Sequence, residues 1–198
     1  MELMTLFEKI ILSALLTAVG SLWIDILYRT NDELTFPNDI ASRSQYRKPI
    51  LFVSLAILFN MTDNLWTMTA IYLLVLMTLT DFEQYMLFDA MTLTLALIGA
   101  AHAWHFDFQT YLLASIVGGG IFLLLAIISK GSLGGGDVKL IAALGLWLGF
   151  DLLNVVIYGT IAGGFAAILM IITKQKDRSS FFAYGPYFAL TAIYFLLK

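Results

Sequence analysis

TYLLASIVGGGIFLLLAIISKGSLGGGDVKLIAALGLWLGFD, residues 110–151, holds two apolar runs parted by a short polar break that closes on Asp137. The first run, 110–129, is long enough to cross a hydrocarbon core as a helix. The second, 138–151, rises only about 21 Å as a helix and needs tilted neighbours or local thinning of the bilayer. Outward from this stretch the alternation continues, with apolar segments at 10–28, 49–62, 65–80, 91–104, 155–173 and 182–197. The pattern predicts an all-α polytopic membrane helix bundle of about eight spans, with residues 1–198 as one membrane-embedded domain. The break at 149–154 is the weakest boundary; a single helix running through Asp151 is the alternative.

Composition agrees with that class. Of 198 residues, 60% are hydrophobic and 13% charged, with a mean hydropathy of +0.87, which no soluble domain of this length requires. The opening segment carries Glu2 and Glu8-Lys9 ahead of its apolar run and reads as part of the bundle rather than as a cleavable leader. Cysteine is absent, which excludes disulfides, thiol nucleophiles and Cys-based zinc sites. The two histidines, His102 and His105, flank Trp104 and read as interfacial residues, so no metal site is expected.

Charge orients the bundle. Nine of the eleven Lys and Arg fall in alternate connections: Arg29, Arg43, Arg47, Lys48, Lys130, Lys139, Lys174, Lys176 and Arg178. The positive-inside rule puts these connections in the cytoplasm and both termini outside. Asp81 follows the third span and Asp137 precedes the sixth, so parity puts both at the cytoplasmic face. The one sizeable loop, 29–48, is polar and too short for an independent domain.

Carboxylates beside hydrocarbon are costly, about 2.5–3.5 kcal/mol for Asp at a helix centre, and so invite a functional reading. In 131–140, Gly-Ser-Leu-Gly-Gly-Gly-Asp-Val-Lys-Leu, a phosphate cradle would need Lys-Ser/Thr after the glycines, which is not the order here. A lone Asp137 could simply cap a helix. The segment 80–89 changes the balance, because Asp81, Glu83 and Asp89 occur there without a base. Two carboxylates able to share a proton can split into acid and base, which is aspartic hydrolysis. Glycines beside one of them let a substrate strand approach. Glu83 and Asp89 read as solvated or capping residues. A proton-coupled transporter is the competing class, although relay acids usually sit nearer the midplane than these.

Gly134-x-Gly136-Asp137-Val138-Lys139-Leu140 resembles the Gly-x-Gly-Asp-Val-Lys-Leu signature of the type IV prepilin peptidases, membrane aspartic proteases. The Asp81 segment, with Glu83 and Asp89, is similar to the family's other aspartate motif. Tyr184-Gly185-Pro186-Tyr187-Phe188-Ala189 resembles its Phe-Gly-Pro-Phe-Leu-Ala, and Gly20-Ser21-Leu22 with Tyr28-Arg29 resembles its opening motif.

The resemblance implies catalysis by Asp81 and Asp137, with Gly134, Gly136, Lys139, Glu83, Asp89, Gly185 and Pro186 supporting the site or the substrate. It implies cleavage of leader peptides from prepilins or pseudopilins at the cytoplasmic face of the inner or plasma membrane. Membrane lipids and these substrates are the expected partners, and nucleic acid is not. No cofactor is expected for proteolysis; S-adenosylmethionine enters only if methyl transfer to the new N-terminus is retained. The loop 29–48 stands where many members carry a larger zinc-binding loop, and Phe52 replaces a Glu linked to methyl transfer.

The charge pattern gives a topology test. Reporter fusions after residues 35, 85, 134 and 177 should report cytoplasm, and fusions near 63 and 107 the outside. Opposite faces for 85 and 134 would separate Asp81 from Asp137 and end the hydrolase reading.

Overall fold

A computed structural model describes residues 4–128, 133–173 and 183–198. Lys130, Lys174, Lys176 and Arg178, the first two residues of segment 131–140 (Gly131 and Ser132) and the expected span start at 182 lie outside these residues. The helices are α1 (Leu6–Thr30), α2 (Ile40–Arg43), α3 (Arg47–Asn60), α4 (Leu65–Gln84), α5 (Asp89–His105), α6 (Phe108–Ile128), α7 (Gly135–Leu148), α8 (Leu152–Ile172) and α9 (Gly185–Leu197). No strand occurs among the described residues. The all-α expectation therefore holds. Four helical runs are long and apolar enough to cross a membrane: Leu6–Thr30, Leu65–Gln84, Phe108–Ile128 and Gly135–Ile172.

Helix ends differ from the apolar runs because caps, not hydropathy, set them. α1 starts four residues early, where Thr5 and Glu8 form a capping box with Thr5 N–H to Glu8 at 2.7 Å. α4 begins where the Asn64 side chain accepts from Trp66 N–H at 2.9 Å. At its other end α4 runs four residues beyond the expected 80. Asp81 is thus in the last helical turn and not in a connection, and Tyr85 (φ 52) closes the helix in the left-handed region. Nothing in 80–84 breaks a helix, so winding continues until Tyr85 turns the chain.

Gly149 resolves the open boundary. At φ +55 it ends α7, a 3₁₀ turn covers Gly149–Asp151, and α8 follows. Contacts with α6 show the chain reversing there. Along α7 the neighbours descend α6, from Gly119 against Ala142 to Gly145 against Ser115 and Gly149 against Tyr111. In α8, Leu152 then lies against Gly118, back up the same helix. α9 lies antiparallel on α8, with Gly159 against Phe188 and Gly163 against Tyr184.

α4 is the centre of the bundle. Fourteen of its 20 residues are buried, including Ile71, Leu74, Leu76 and Met77, against three on the 21-residue α6. The exposed faces of α6 and α8 are apolar (Ile116, Leu124, Ile161, Phe165), as surfaces meant for lipid should be. At the end away from Asp81, buried Lys9 binds Asp63 at 2.7 Å and the Thr62 carbonyl at 3.0 Å, tying α1 to the α3–α4 turn. His102, in the last turn of α5, stacks on Trp147 at 5.0 Å within a group that includes Trp66 and Tyr111.

Close packing of α6 on α7 rests on glycine. A Cβ at Gly145 would fall 2.4 Å from the Ser115 Cα, whereas one at Gly120 meets nothing within 4 Å. Gly145→Ala should therefore destabilise by about 1–3 kcal/mol, the usual cost of overpacking. Gly120→Ala should leave the melting temperature in detergent unchanged or slightly higher. Equal behaviour of the two variants would show that α6 and α7 are not packed this way.

Candidate active site

The starts of α7 and α9 meet the α4–α5 connection at Leu87, two residues after the left-handed Tyr85. From α7, a Cβ on Gly136 would lie 3.0 Å from the Leu87 Cβ. From α9, a Cβ on Gly185 would lie 3.3 Å from Leu87 and 2.6 Å from the Asp81 Oδ2. Glycine is thus needed at 185 because the Asp81 carboxylate occupies the space a side chain would take. Pro186, in the first turn of α9 where its missing N–H costs nothing, fixes the start of that helix.

Asp81 is buried, and the Gly185 backbone N–H is directed at its carboxylate. Asp137 is the third residue of α7, half-buried, and its carboxylate turns back towards the Gly134 N-cap, 3.4 Å from where a Cβ on that glycine would stand. Asp137 lies within electrostatic range of Asp81. Neither carboxylate has an ion-pair partner among the described residues. The nearest base in sequence, Lys139, is held at 2.6 Å by Asp89 on the exposed rim. The arrangement is two acids on the ends of different helices, with glycine backbone on both sides and, among the described residues, no cation paired with either.

Glu83 is placed differently from its sequence expectation. It is neither solvated nor a cap but buried at 5% exposure, two residues and about 200° around α4 from Asp81. Arg47, at 3% exposure, grips it with a forked contact: Nη2 to Oε2 at 2.6 Å and Nε to Oε1 at 2.9 Å. Arg47 also pairs with Asp25, and the Tyr28 hydroxyl donates to Glu83 at 3.0 Å. Sequence reasoning did not single out Arg47 or Asp25. The available signal was the acid-rich, base-free stretch 81–89, which needs a base from elsewhere in the chain once it is buried. Asp89 matches its expectation as a solvated acid at the start of α5.

Among the described residues no group of three or more His, Asp or Glu could hold a metal ion.

Comparison with known proteins now bears on this geometry. The profile of the type IV leader peptidase family matches residues 68–172, more than half of the chain and both aspartates. The chain belongs to that family. It is 36% identical over 122 residues to a prepilin leader peptidase/N-methyltransferase of Neisseria gonorrhoeae, covering 57% of this chain and 41% of that protein. To the protein of the same name from Aeromonas hydrophila it is 28% identical over 162 residues, covering 70% of this chain and 52% of that one. The Xanthomonas campestris counterpart is 29% identical over 126 residues, 59% of this chain and 44% of its own length. The chain thus spans about half the length of these relatives. No solved structure matches it.

The two ion pairs near the site separate by burial. Arg47→Met leaves Glu83 and Asp25 without their cation and should cost about 3–5 kcal/mol. Lys139→Met removes a rim pair with both partners more than half exposed and should cost under about 1 kcal/mol. Thermal unfolding in one detergent measures both; a similar loss for the two variants would contradict the burial of Arg47.

Proposed function

We propose that this chain is an aspartic endopeptidase that removes the leader peptide from prepilins or pseudopilins, with Asp81 and Asp137 as its catalytic pair. The observation that supports this reading is the approach of both aspartates to Leu87, Asp81 beside Gly185 and Asp137 next to Gly136, with no ion-pair partner for either among the described residues, inside the segment matched by the leader peptidase family. The name its relatives share, prepilin leader peptidase/N-methyltransferase, supplies the substrate class.

In this reading the pair holds one proton between two like charges. Asp137 stands at the N-terminal, positive end of α7 and serves as the base that activates water. Asp81, at the C-terminal end of buried α4, serves as the acid that protonates the departing amide nitrogen. Gly136 and Gly185 leave room for an extended substrate backbone beside them. The acids Asp32, Glu33 and Asp89, exposed near the site, give a basic leader a favourable approach, while buried Glu83 is not available for that role.

We read the bundle as eight crossings, with α3, α7 and α9 as short spans of 13–14 residues. The reversal at Gly149 supports counting α7 and α8 separately. The charge pattern then turns the site to the cytoplasm, in the inner or plasma membrane. Relay carboxylates of a transporter would be expected deeper in the bundle than helix ends.

Methyl transfer is not part of the proposal. Beside loop 29–48 lies a cavity of about 350 Å³ between α3, α4 and α9, lined by Arg43, Arg47 and Glu83 at one end and by Ile50, Leu58 and Val75 along it. Its one carboxylate, Glu83, is already bound by Arg47, which leaves no free acid in the lining to meet the sulfonium of S-adenosylmethionine. These residues do not fit that donor. Mass spectrometry of the mature product after incubation with labelled donor should find no transferred methyl group; stoichiometric label would refute this part of the reading.

For proteolysis, purified chain incubated with a prepilin in detergent should release the leader. Asp81→Asn and Asp137→Asn should each abolish release while keeping the parental melting profile, because a pair sharing one proton fails when either member cannot titrate. Clear residual cleavage by either variant sinks the assignment.

A further inference from the structure

We propose that the connection 31–47 is a brace that positions Asp81, with Arg47 as its principal positioning residue; this rests on the peptidase reading of Asp81. The last turn of a helix has carbonyls with no intrahelical partner and frays most easily. In α4 that turn carries Asp81, and the connection grips it at several points. Arg43 donates to the carbonyls of Glu83 and, at 3.0 Å, of Phe82. The Gln84 amide bonds both backbone groups of Phe36, accepting from its N–H at 2.8 Å and donating to its carbonyl at 3.3 Å. The Phe36 ring stacks under Arg43 at 4.0 Å and meets Tyr85 edge-on at 5.4 Å, holding the left-handed residue that ends the helix.

Arg47 completes the grip from below. Its fork on Glu83, its pairing with Asp25 and its place 5.0 Å from the Tyr28 ring tie α1, α3 and α4 together at one level. Asp81 and Glu83 are two residues apart, about 200° around the helix, so they face opposite ways. Holding Glu83 therefore fixes the rotation of the turn, and rotation decides where the Asp81 carboxylate sits relative to Gly185 and Asp137. A guanidinium does this where an ammonium would not, because its two parallel donors set an orientation as well as a distance.

A purely structural role for this buried pair would look similar in a single variant, so the test uses two. Arg47→Met should unfold more easily and lose activity. The double variant Arg47→Met with Glu83→Leu replaces the pair by apolar side chains, an exchange that commonly restores stability. If the brace positions Asp81, the double variant should melt near the parent yet show kcat about 10²-fold lower, the usual cost of misplacing a reacting group by about 1 Å, with KM within about twofold. Arg47→Lys, which keeps the charge and loses the fork, should fall between parent and double variant in kcat. Recovery of parental kcat in the double variant overturns the brace, as does a rise in KM at unchanged kcat or a loss that only follows the folded fraction. Absence of cleavage by the parent itself is a separate result; it overturns the peptidase reading and this one with it.

Discussion

A helix enclosed by its own protein must still end, and α4 ends on Asp81, Glu83 and Gln84, all buried. Each polar group there has to be satisfied from outside the helix, since an unpaired charge in such surroundings costs several kcal/mol. The forked contact of Arg47 on Glu83 meets the largest of these demands. Once that contact exists, α1 and α3 have fixed positions, because Asp25 and Tyr28 come from one and Arg47 from the other. The other side of the turn is then left for Asp81.

On that other side the described residues do the opposite and supply no ion-pair partner. The backbones of Gly185 and Gly134 approach the two carboxylates instead, and glycine lets α7 and α9 start within contact of Leu87. One turn of one helix thus holds both an acid neutralised by arginine and an acid with no ion-pair partner among the described residues. The first arrangement serves stability and orientation. The second costs stability, and such local cost is common where chemistry is done.

The bundle and its two aspartate segments were legible because hydrocarbon punishes charge, so apolar runs and the acids that interrupt them stand out in the sequence. Span limits were less so. Thr5 with Glu8 begins α1 early, and the lack of a breaker before Tyr85 carries α4 through Asp81; both are capping effects that hydropathy does not register. Gly149 could be read either way until its positive φ showed the reversal. Glu83 was misread as solvated because its partner lies 36 residues away, in a loop whose charges look like ordinary cytoplasmic arginines. Nothing local distinguishes Arg47 from Arg29 or Lys48; only tertiary structure buries one and exposes the others.

The proposed peptidase works only if the last turn of α4 and the first turn of α7 bring residues 81 and 137 face to face. The chain has no native cysteine, so Asp81→Cys combined with Asp137→Cys reports on this pair alone. In intact membranes, a short bifunctional thiol reagent should link the two within one chain, while an Asp81→Cys, Asp63→Cys pair, at opposite ends of α4, should stay unlinked. Failure of the 81–137 pair to link while both thiols react with a monofunctional reagent would contradict the account.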